Sequence, residues 1–445
     1  MDILILGAGD IGFQLAKRLS LDQHNITIIE LDPKKARHAS EQLDAHVVEG
    51  SATSYTLLKD IVTNVDVVAA MTSNDEVNLI GCQLAKKAGS AFTMARVRNP
   101  EYTLANFPLK PEDLGVDAMI HPEKETADAI VRLIRQSSAT QLIEFEKGKV
   151  QLVGVRLESN SELLNRPLAK LTLEYGDPPM RIVAINRMQD TIIPTGNDEL
   201  IPGDQVFAVC HPDYLSEFIK QTGKQDTRIE DIMILGGGLI GQFVAKSLGK
   251  EMNVKIIESN LAKSEEIADV LQHTLIIHGD GTDYDLLAQE GVVDMDAFIA
   301  VTGDDETNII STLLVRHMKI PRTIALVNKV VYLPITTTIG MDAVVSKQLL
   351  TVNAVLGFIQ RQEVAAIASL PGVEGQAIEY IAGEGDKITK NALRKVKFPR
   401  HSIVAAVFRN EELIIPKGDT HIRPGDRVLV FLLPQALGKV EKLFK

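Results

Sequence analysis

The chain has 445 residues, with 47 basic and 59 acidic side chains and a formal net charge of −12. That length implies several domains, each with its own core, and the acidic balance argues against a nucleic-acid or anionic-membrane footprint. Cys82 and Cys210 are the only cysteines and lie 128 positions apart without metal-ligand spacing, so they read as buried or incidental thiols in a reducing cytosol.

The apolar run Ile3–Leu6 predicts a strand that enters Gly7-Ala8-Gly9-Asp10-Ile11-Gly12, and a helical pattern follows to Leu19. No basic region precedes the run, unlike a signal peptide, and no stretch of eighteen apolar residues predicts a membrane span. Further strands are expected at Ile26–Ile29, ending in Glu30, then at Val47-Val48, Val65–Ala70 and Phe92–Val97. Helical patterns lie between them, and one from Pro122 to Gln136 closes the unit, free to pack on its own sheet or to cross to a partner. Strands alternating with helices imply a doubly wound parallel sheet.

From about 140 to 225 the texture changes to short β-rich runs and turns, including Pro202-Gly203-Asp204 before Val206–Val209. A polar helix is expected over Tyr214–Gln225, then a short charged linker near Asp226–Asp231. The whole order then recurs. Gly236-Gly237-Gly238-Leu239-Ile240-Gly241 stands 229 positions after the first glycine turn, and Val254–Ile257 ends in Glu258. Gly50 answers to Gly279, Thr72 to Thr302 and Asn78 to Asn308. A helical pattern runs from Val345 to Gln360, and Pro424-Gly425-Asp426 repeats the earlier turn 222 positions on. A period this long is domain duplication. The expected fold class is α/β: two Rossmann-like doubly wound parallel sheets, each followed by a small α+β domain, over 1–139, 140–225, 229–359 and 360–445.

In a dinucleotide-binding turn, Gly7 would allow the tight exit from the strand, Gly9 the approach of a pyrophosphate, and Gly12 close helix packing. The helix start then offers unpaired N–H groups to phosphate. One such hexapeptide is weak evidence; two in the same setting indicate a duplicated nucleotide module. Glu30 and Glu258, at the ends of the second strands, are placed to accept ribose hydroxyls and would repel a 2′-phosphate. Asp32 reads instead as a helix N-cap, and Asp304-Asp305-Glu306 as a charged loop capping the next helix rather than a metal site. Gly50-Ser51, Gly279-Asp280, Thr72 and Thr302 fall at the carboxyl ends of strands, where such sheets bind ligands. Arg96 and Arg98, two apart, face one side and suit a polyphosphate, against the plainer reading of surface salt bridges. The second copy has Leu326 and Asn328 there, with Lys329 one place along, so the two sites are not chemically equal.

Gly7-x-Gly9-x-x-Gly12 with Glu30, the segment Ala95–Tyr102, their second copies and the Pro-Gly-Asp turns closely resemble the Trk potassium-uptake regulatory family, built from RCK (also called KTN) domains. The resemblance covers essentially the whole chain. It implies a cytosolic gating ring rather than an enzyme, with NAD(H) and ATP or ADP in the N domains. It further implies a homotetramer docked on the inner face of a TrkH- or KtrB-like membrane channel, and no nucleic-acid partner. Ser51 departs from the family's aspartate, which Asp280 keeps, and the second copy lacks the paired arginines. An NAD-dependent oxidoreductase is the competing class, although His211 and His401 are isolated and no catalytic constellation is legible. A regulator of potassium efflux is a third reading.

Overall fold

The computed structural model describes residues 1–21, 24–63, 65–104, 106–176, 178–188, 190–224, 228–339, 341–359, 364–370, 373–410 and 412–445. Gln225 and Asp226, expected in a helix end and a linker, and Gln360, expected to end a helix, lie outside the described residues.

The first glycine turn joins β1 (Asp2–Leu6) to α1 (Asp10–Leu21). Then come β2 (Asn25–Glu30), α2 (Pro33–Gln42), β3 (His46–Glu49), α3 (Tyr55–Val62), β4 (Val67–Ala70), α4 (Asp75–Ala88), β5 (Phe92–Arg96), β6 (Ala118–Ile120) and α5 (Pro122–Arg135). The strands form one parallel sheet in the order β3-β2-β1-β4-β5-β6. Helices need both faces of such a sheet, so its strands are apolar runs rather than alternating ones: Ile3 to Leu6 and Val67 to Ala70 are all buried. The order reverses between β1 and β4, which leaves a crevice beyond their carboxyl ends. Asp32 caps α2 as expected, accepting the backbone N–H groups of Lys34 and Lys35.

The first C-terminal repeat contains β7 (Gln141–Phe145), β8 (Val150–Arg156), α6 (Leu168–Glu174), β9 (Met180–Arg187), β10 (Asp190–Ile192), β11 (Gln205–Cys210) and α7 (Leu215–Gln221). The helix expected to be polar over Tyr214–Gln225 is α7, shorter and amphipathic, with Leu215, Phe218 and Ile219 buried. The second parallel sheet uses β12 (Asp231–Leu235), α8 (Leu239–Leu248), β13 (Asn253–Glu258), α9 (Leu261–Val270), β14 (Thr274–His278), α10 (Tyr284–Gln289), β15 (Ala297–Ala300), α11 (Asp305–His317), β16 (Arg322–Leu326), α12 (Leu333–Thr338), β17 (Ala343–Val345) and α13 (Lys347–Ile359). Its order, β14-β13-β12-β15-β16-β17, matches the first. The last repeat contains β18 (Val364–Ser369), β19 (Gln376–Ile381), β20 (Ser402–Arg409), β21 (Glu412–Ile414), β22 (Arg427–Leu432) and α14 (Leu437–Glu441).

Two compact units result: 1–125 with 347–359, and 126–346 with 360–445. In the first unit α13, the closing helix of the second repeat, lies against α1, and Phe358 stacks on Phe92 with ring centroids 6.5 Å apart. In the second unit Arg322, at the start of β16, donates to the carbonyls of Leu133 and Ala139 around the end of α5. Each repeat's closing helix therefore goes to the other repeat within this chain.

Both C-terminal sheets are antiparallel, ordered β10-β9-β11-β8-β7 and β18-β19-β22-β20-β21. They share one core in which Phe145, Val150 and Phe207 meet Ala377, Leu429 and Phe431. The two Pro-Gly-Asp turns have a common reason. Asp204 accepts Arg187 Nε and Nη2 at 2.9 and 2.7 Å, and Asp426 accepts Arg409 in the same geometry. Each aspartate also accepts a backbone N–H of its own turn, Ile201 or Arg423. Breaking a fully buried pair costs about 3–5 kcal/mol and an exposed one about 1 or less. Asp426 is buried and Arg409 about one-fifth exposed, so Arg409→Ala is expected to cost about 2 kcal/mol. Earlier urea unfolding of β20 and β22, followed by hydrogen exchange, is the measurement. Among the described residues no helix is long and apolar enough to cross a membrane. Both thiols are buried, which pushes Cys82 and Cys210 up to about 12.

Candidate functional site

In both copies the glycine turn begins with a residue in left-handed backbone, Gly7 at φ +99° and Gly236 at φ +106°. A Cβ on Gly12 would lie 2.0 Å from the Gly7 carbonyl oxygen, and one on Gly241 2.1 Å from that of Gly236. These third glycines set how closely helix meets strand. Gly9 and Gly238 differ: a Cβ there meets nothing within 4 Å. The middle glycine is not required by packing, and the open face it leaves at the helix start fits a pyrophosphate. Ile11 and Ile240 are buried and anchor α1 and α8.

The acids at the ends of β2 and β13 are held by backbone N–H groups. Glu30 accepts from Ala8 and Asp32, and Glu258 from Gly237 and Asn260. Both are buried carboxylates turned toward the glycine turn. In the second copy Lys263 adds a 2.7 Å bond to Glu258. Burial alone would raise the Glu258 carboxyl, but Lys263 and the Asn260 and Gly237 N–H groups outweigh it and hold it below the ordinary range. Gly50 and Gly279 donate to the carbonyls of Glu30 and Glu258. Ser51 and Asp280 close the same local turn: the Ser51 hydroxyl meets Thr53 Oγ1 and N–H, and Asp280 takes Thr282 Oγ1 and N–H. The serine thus replaces the aspartate's turn bonds but not its charge.

Across the crevice, Thr72 and Thr302 are each fixed by an asparagine. Asn78 Oδ1 accepts Thr72 N and Oγ1 at 2.9 and 2.7 Å, and its amide donates to the Arg96 carbonyl; Asn308 repeats this with Thr302 and the Leu326 carbonyl. Asp75 accepts the N–H groups of Arg98 and Asn99, and Asp305 those of Asn328 and Lys329. Asp304 caps α11, as expected for that acidic run, but Asp305 does different work: it pins the segment after β16.

The structure gathers Arg96 and Arg98 around Glu123, a buried acid in the first turn of α5 that the sequence reading missed. Arg98 Nε lies 3.5 Å from Glu123 Oε1 and Lys347 Nζ 3.4 Å from it. Arg96 donates to the Thr72 carbonyl, and burial pulls its pKa down against Glu123, Asp75 and Asp10. Asp10 thus belongs to the same electrostatic neighbourhood as Arg96. His121 Nδ1 is 3.9 Å from Glu123, and burial keeps this imidazole below its ordinary pKa despite that acid. At the matching positions after β17 stand Ser346 and Gln348. Lys329 is engaged elsewhere: its Nζ lies 2.6 Å from Glu306, which also accepts Tyr332 OH at 2.7 Å, and these two bonds hold the Glu306 carboxyl down to about 2.

Sequence comparison follows the same division. The TrkA-N domain description matches residues 3–122 and 232–347, and the TrkA-C domain description residues 152–223 and 378–445. The chain is 35% identical over 454 residues to the Trk system potassium uptake protein TrkA homolog 2 of Methanosarcina mazei, covering all of both chains. Among solved structures it resembles the GsuK channel bound to NAD (TM-score 0.63, 20% identity, 100% of this chain and 78% of that one). It also resembles GsuK bound to ADP (TM-score 0.52, 19% identity, 81% and 70%). At these identities the structural likeness concerns the fold.

Proposed function

The chain belongs to the TrkA family of potassium-uptake regulatory proteins, and we propose that it is a cytosolic gating-ring subunit rather than an enzyme, one whose clefts bind nucleotides to set the state of a TrkH- or KtrB-like membrane channel. The observation that carries this reading is the first cleft: an open Gly9 face and the Glu30 carboxylate on one rim, Arg96 and Arg98 on the other. The glycine turn and Glu30 suit the adenosine and pyrophosphate of NAD(H), ATP or ADP. The two guanidiniums suit the terminal phosphate that distinguishes ATP from ADP. The solved relatives bound to NAD and to ADP are consistent with this ligand class.

At the matching sequence positions of the second copy four charged or ionisable groups are replaced together. Arg96, Arg98, His121 and Glu123 become Leu326, Asn328, Ser346 and Gln348. Gly236 to Gly241, Glu258 and Asp280 retain what an adenosine diphosphate moiety needs, without the cations that suit a further phosphate. Calorimetry on the full chain is therefore expected to give one ATP per chain, with NAD(H) filling as many as two sites. NADPH should bind about tenfold or more weakly, since Glu30 and Glu258 oppose a 2′-phosphate. Two equal ATP sites would overturn the asymmetry, and consumption of NADH with a small-molecule acceptor would favour an oxidoreductase.

Gating requires that a ligand prefer one state of the ring. Exchange of ATP for ADP removes charge beside Arg98 and Glu123, at the first turn of α5, so the ligand and the closing helix share one set of ion pairs. Coupling of about 1–3 kcal/mol per site, multiplied around a homotetramer, suffices to bias a channel. Rubidium flux into vesicles carrying the channel subunit, with the full chain and ATP or ADP outside, tests the role: identical flux with both nucleotides would refute it.

A further inference from the structure

The shared core of the two C-terminal repeats contains one cluster of charge that the nucleotide reading does not use. Glu379, in the middle of β19, is buried, with 1% of its surface exposed. Arg427 on the neighbouring strand β22 lies diagonally opposite, its Nε 2.6 Å from Glu379 Oε1. The same guanidinium reaches Glu146 through Nη1 at 2.7 Å. Glu146 comes from the other repeat, on the turn between β7 and β8, and holds φ +49°, a left-handed conformation that a glutamate rarely takes. Its neighbour Phe145 is part of the shared core.

Two carboxylates thus converge on one guanidinium. With both ionised the cluster carries an unbalanced negative charge, and Glu379 bears its share out of water while Arg427 is about two-fifths exposed, which is costly. With Glu379 protonated the cluster is neutral. The sheet does not need charge at this place to fold. The corresponding strand positions in the first C-terminal repeat are Gly154 and Gln205, and Gln205 makes a neutral bond to Thr140 at 2.8 Å.

We infer that Glu379, Glu146 and Arg427 form a proton-operated clasp between the two C-terminal repeats, closed while Glu379 holds its proton and loosened when it leaves. Among the described residues, the charged groups acting on Glu379 are Arg427 from β22 and Glu146 from the β7–β8 turn; the strand on its other side, Val364–Ser369, contains no titratable residue. Burial first, and then Glu146, push the Glu379 carboxyl up to about 8 against the pull of Arg427. A carboxyl whose pKa is raised in the closed form binds its proton more tightly there than when hydrated. Closure is therefore favoured fully below the ordinary value of 4.5 and weakens as pH rises, until the closed-state pKa is passed. Within that window the opening constant rises about tenfold per pH unit, one proton being released per opening. The clasp is independent of what the N-terminal clefts bind.

Hydrogen exchange of the full chain, with amide protection in β19 and β22 corrected for intrinsic rates, is the test. The expected result is a fall in protection of about a hundredfold between about pH 6 and about pH 8 in the wild type, and a flat profile in Glu379→Gln. Glu146→Gln changes a partly exposed turn residue and provides the second arm should the first variant misfold: the fall should be smaller and end at lower pH, leaving the strands better protected at about pH 8 than in the wild type. The carbonyl stretch of a protonated carboxyl, present at neutral pH and absent in Glu379→Gln, is the spectroscopic counterpart. A flat wild-type profile, or an unchanged slope in both variants, would overturn the clasp and leave an ordinary ion pair.

Discussion

Replacing Arg96 and Arg98 together with alanine is expected to weaken ATP binding by about a hundredfold to a thousandfold while lowering NAD⁺ affinity by about tenfold or less. A hydrogen bond to a charged group contributes about 1.5–3 kcal/mol. Arg98 is half exposed and already shares Glu123 with Lys347, so the lower part of that range applies to it. The backbone at both arginines is fastened to the start of α4 by Asn78 and Asp75. Their loss should leave that scaffold intact, and unchanged circular dichroism is the control. Calorimetric titration with ATP, ADP and NAD⁺ reads the effect. Equal losses for all three ligands would remove the polyphosphate role from these residues and return them to the surface ion pairs that their spacing also allows.

The sequence disclosed most where the chemistry is local. Ile3–Leu6, the glycine turn and Glu30 form one continuous strand–turn–helix signal, and its recurrence at Ile232–Glu258 made the duplicated sheets readable. Asp32 was legible as a cap because an aspartate before Pro33 has few other tasks. What stayed hidden depends on chain segments that meet only in the fold. Glu123 looks like any acid in a first helical turn; its burial against Arg98 and Lys347 follows from the placement of α5 and α13, and no periodicity records that. Asp305 was hidden between two other acids, the cap Asp304 and Glu306, which pairs with Lys329, and Asp75 between the cap Asn74 and Glu76. Lys35 and Lys263 stand five residues after Glu30 and Glu258, yet the neighbours differ, since Asp32 caps one helix and Asn260 the other; Lys263 closes on its glutamate. The destination of the closing helices was likewise open, because an apolar stripe states that a face is buried and not against what.

Two substitutions on the same turn, at Gly9 and at Gly12, should separate fold from ligand. Gly12→Ala places a Cβ 2.0 Å from the Gly7 carbonyl oxygen, a clash with backbone that no rotamer relieves. Gly7 is itself fixed at φ +99° and bonded through its N–H to the Ile29 carbonyl, so neither side of the contact yields without opening β1 from α1. The expected cost exceeds about 4 kcal/mol, seen as loss of the cooperative unfolding transition of the first sheet. A Cβ on Gly9 would meet nothing within 4 Å, and Gly9 is not among the glycines with positive φ, so Gly9→Val should leave the sheet to unfold as in the wild type. The new isopropyl group would instead fill the face left open at the start of α1, and binding of both NAD(H) and ATP to the first cleft should fall by about a hundredfold or more. A Gly9→Val protein that folds and still binds both nucleotides at wild-type affinity would show that the ligand does not lie over this turn. The first cleft would then have to be sought nearer Arg96 alone. A protein that folds and loses both ligands, beside a Gly12→Ala protein that loses its first sheet, would assign the middle glycine to the pyrophosphate and the last one to the packing of helix on strand.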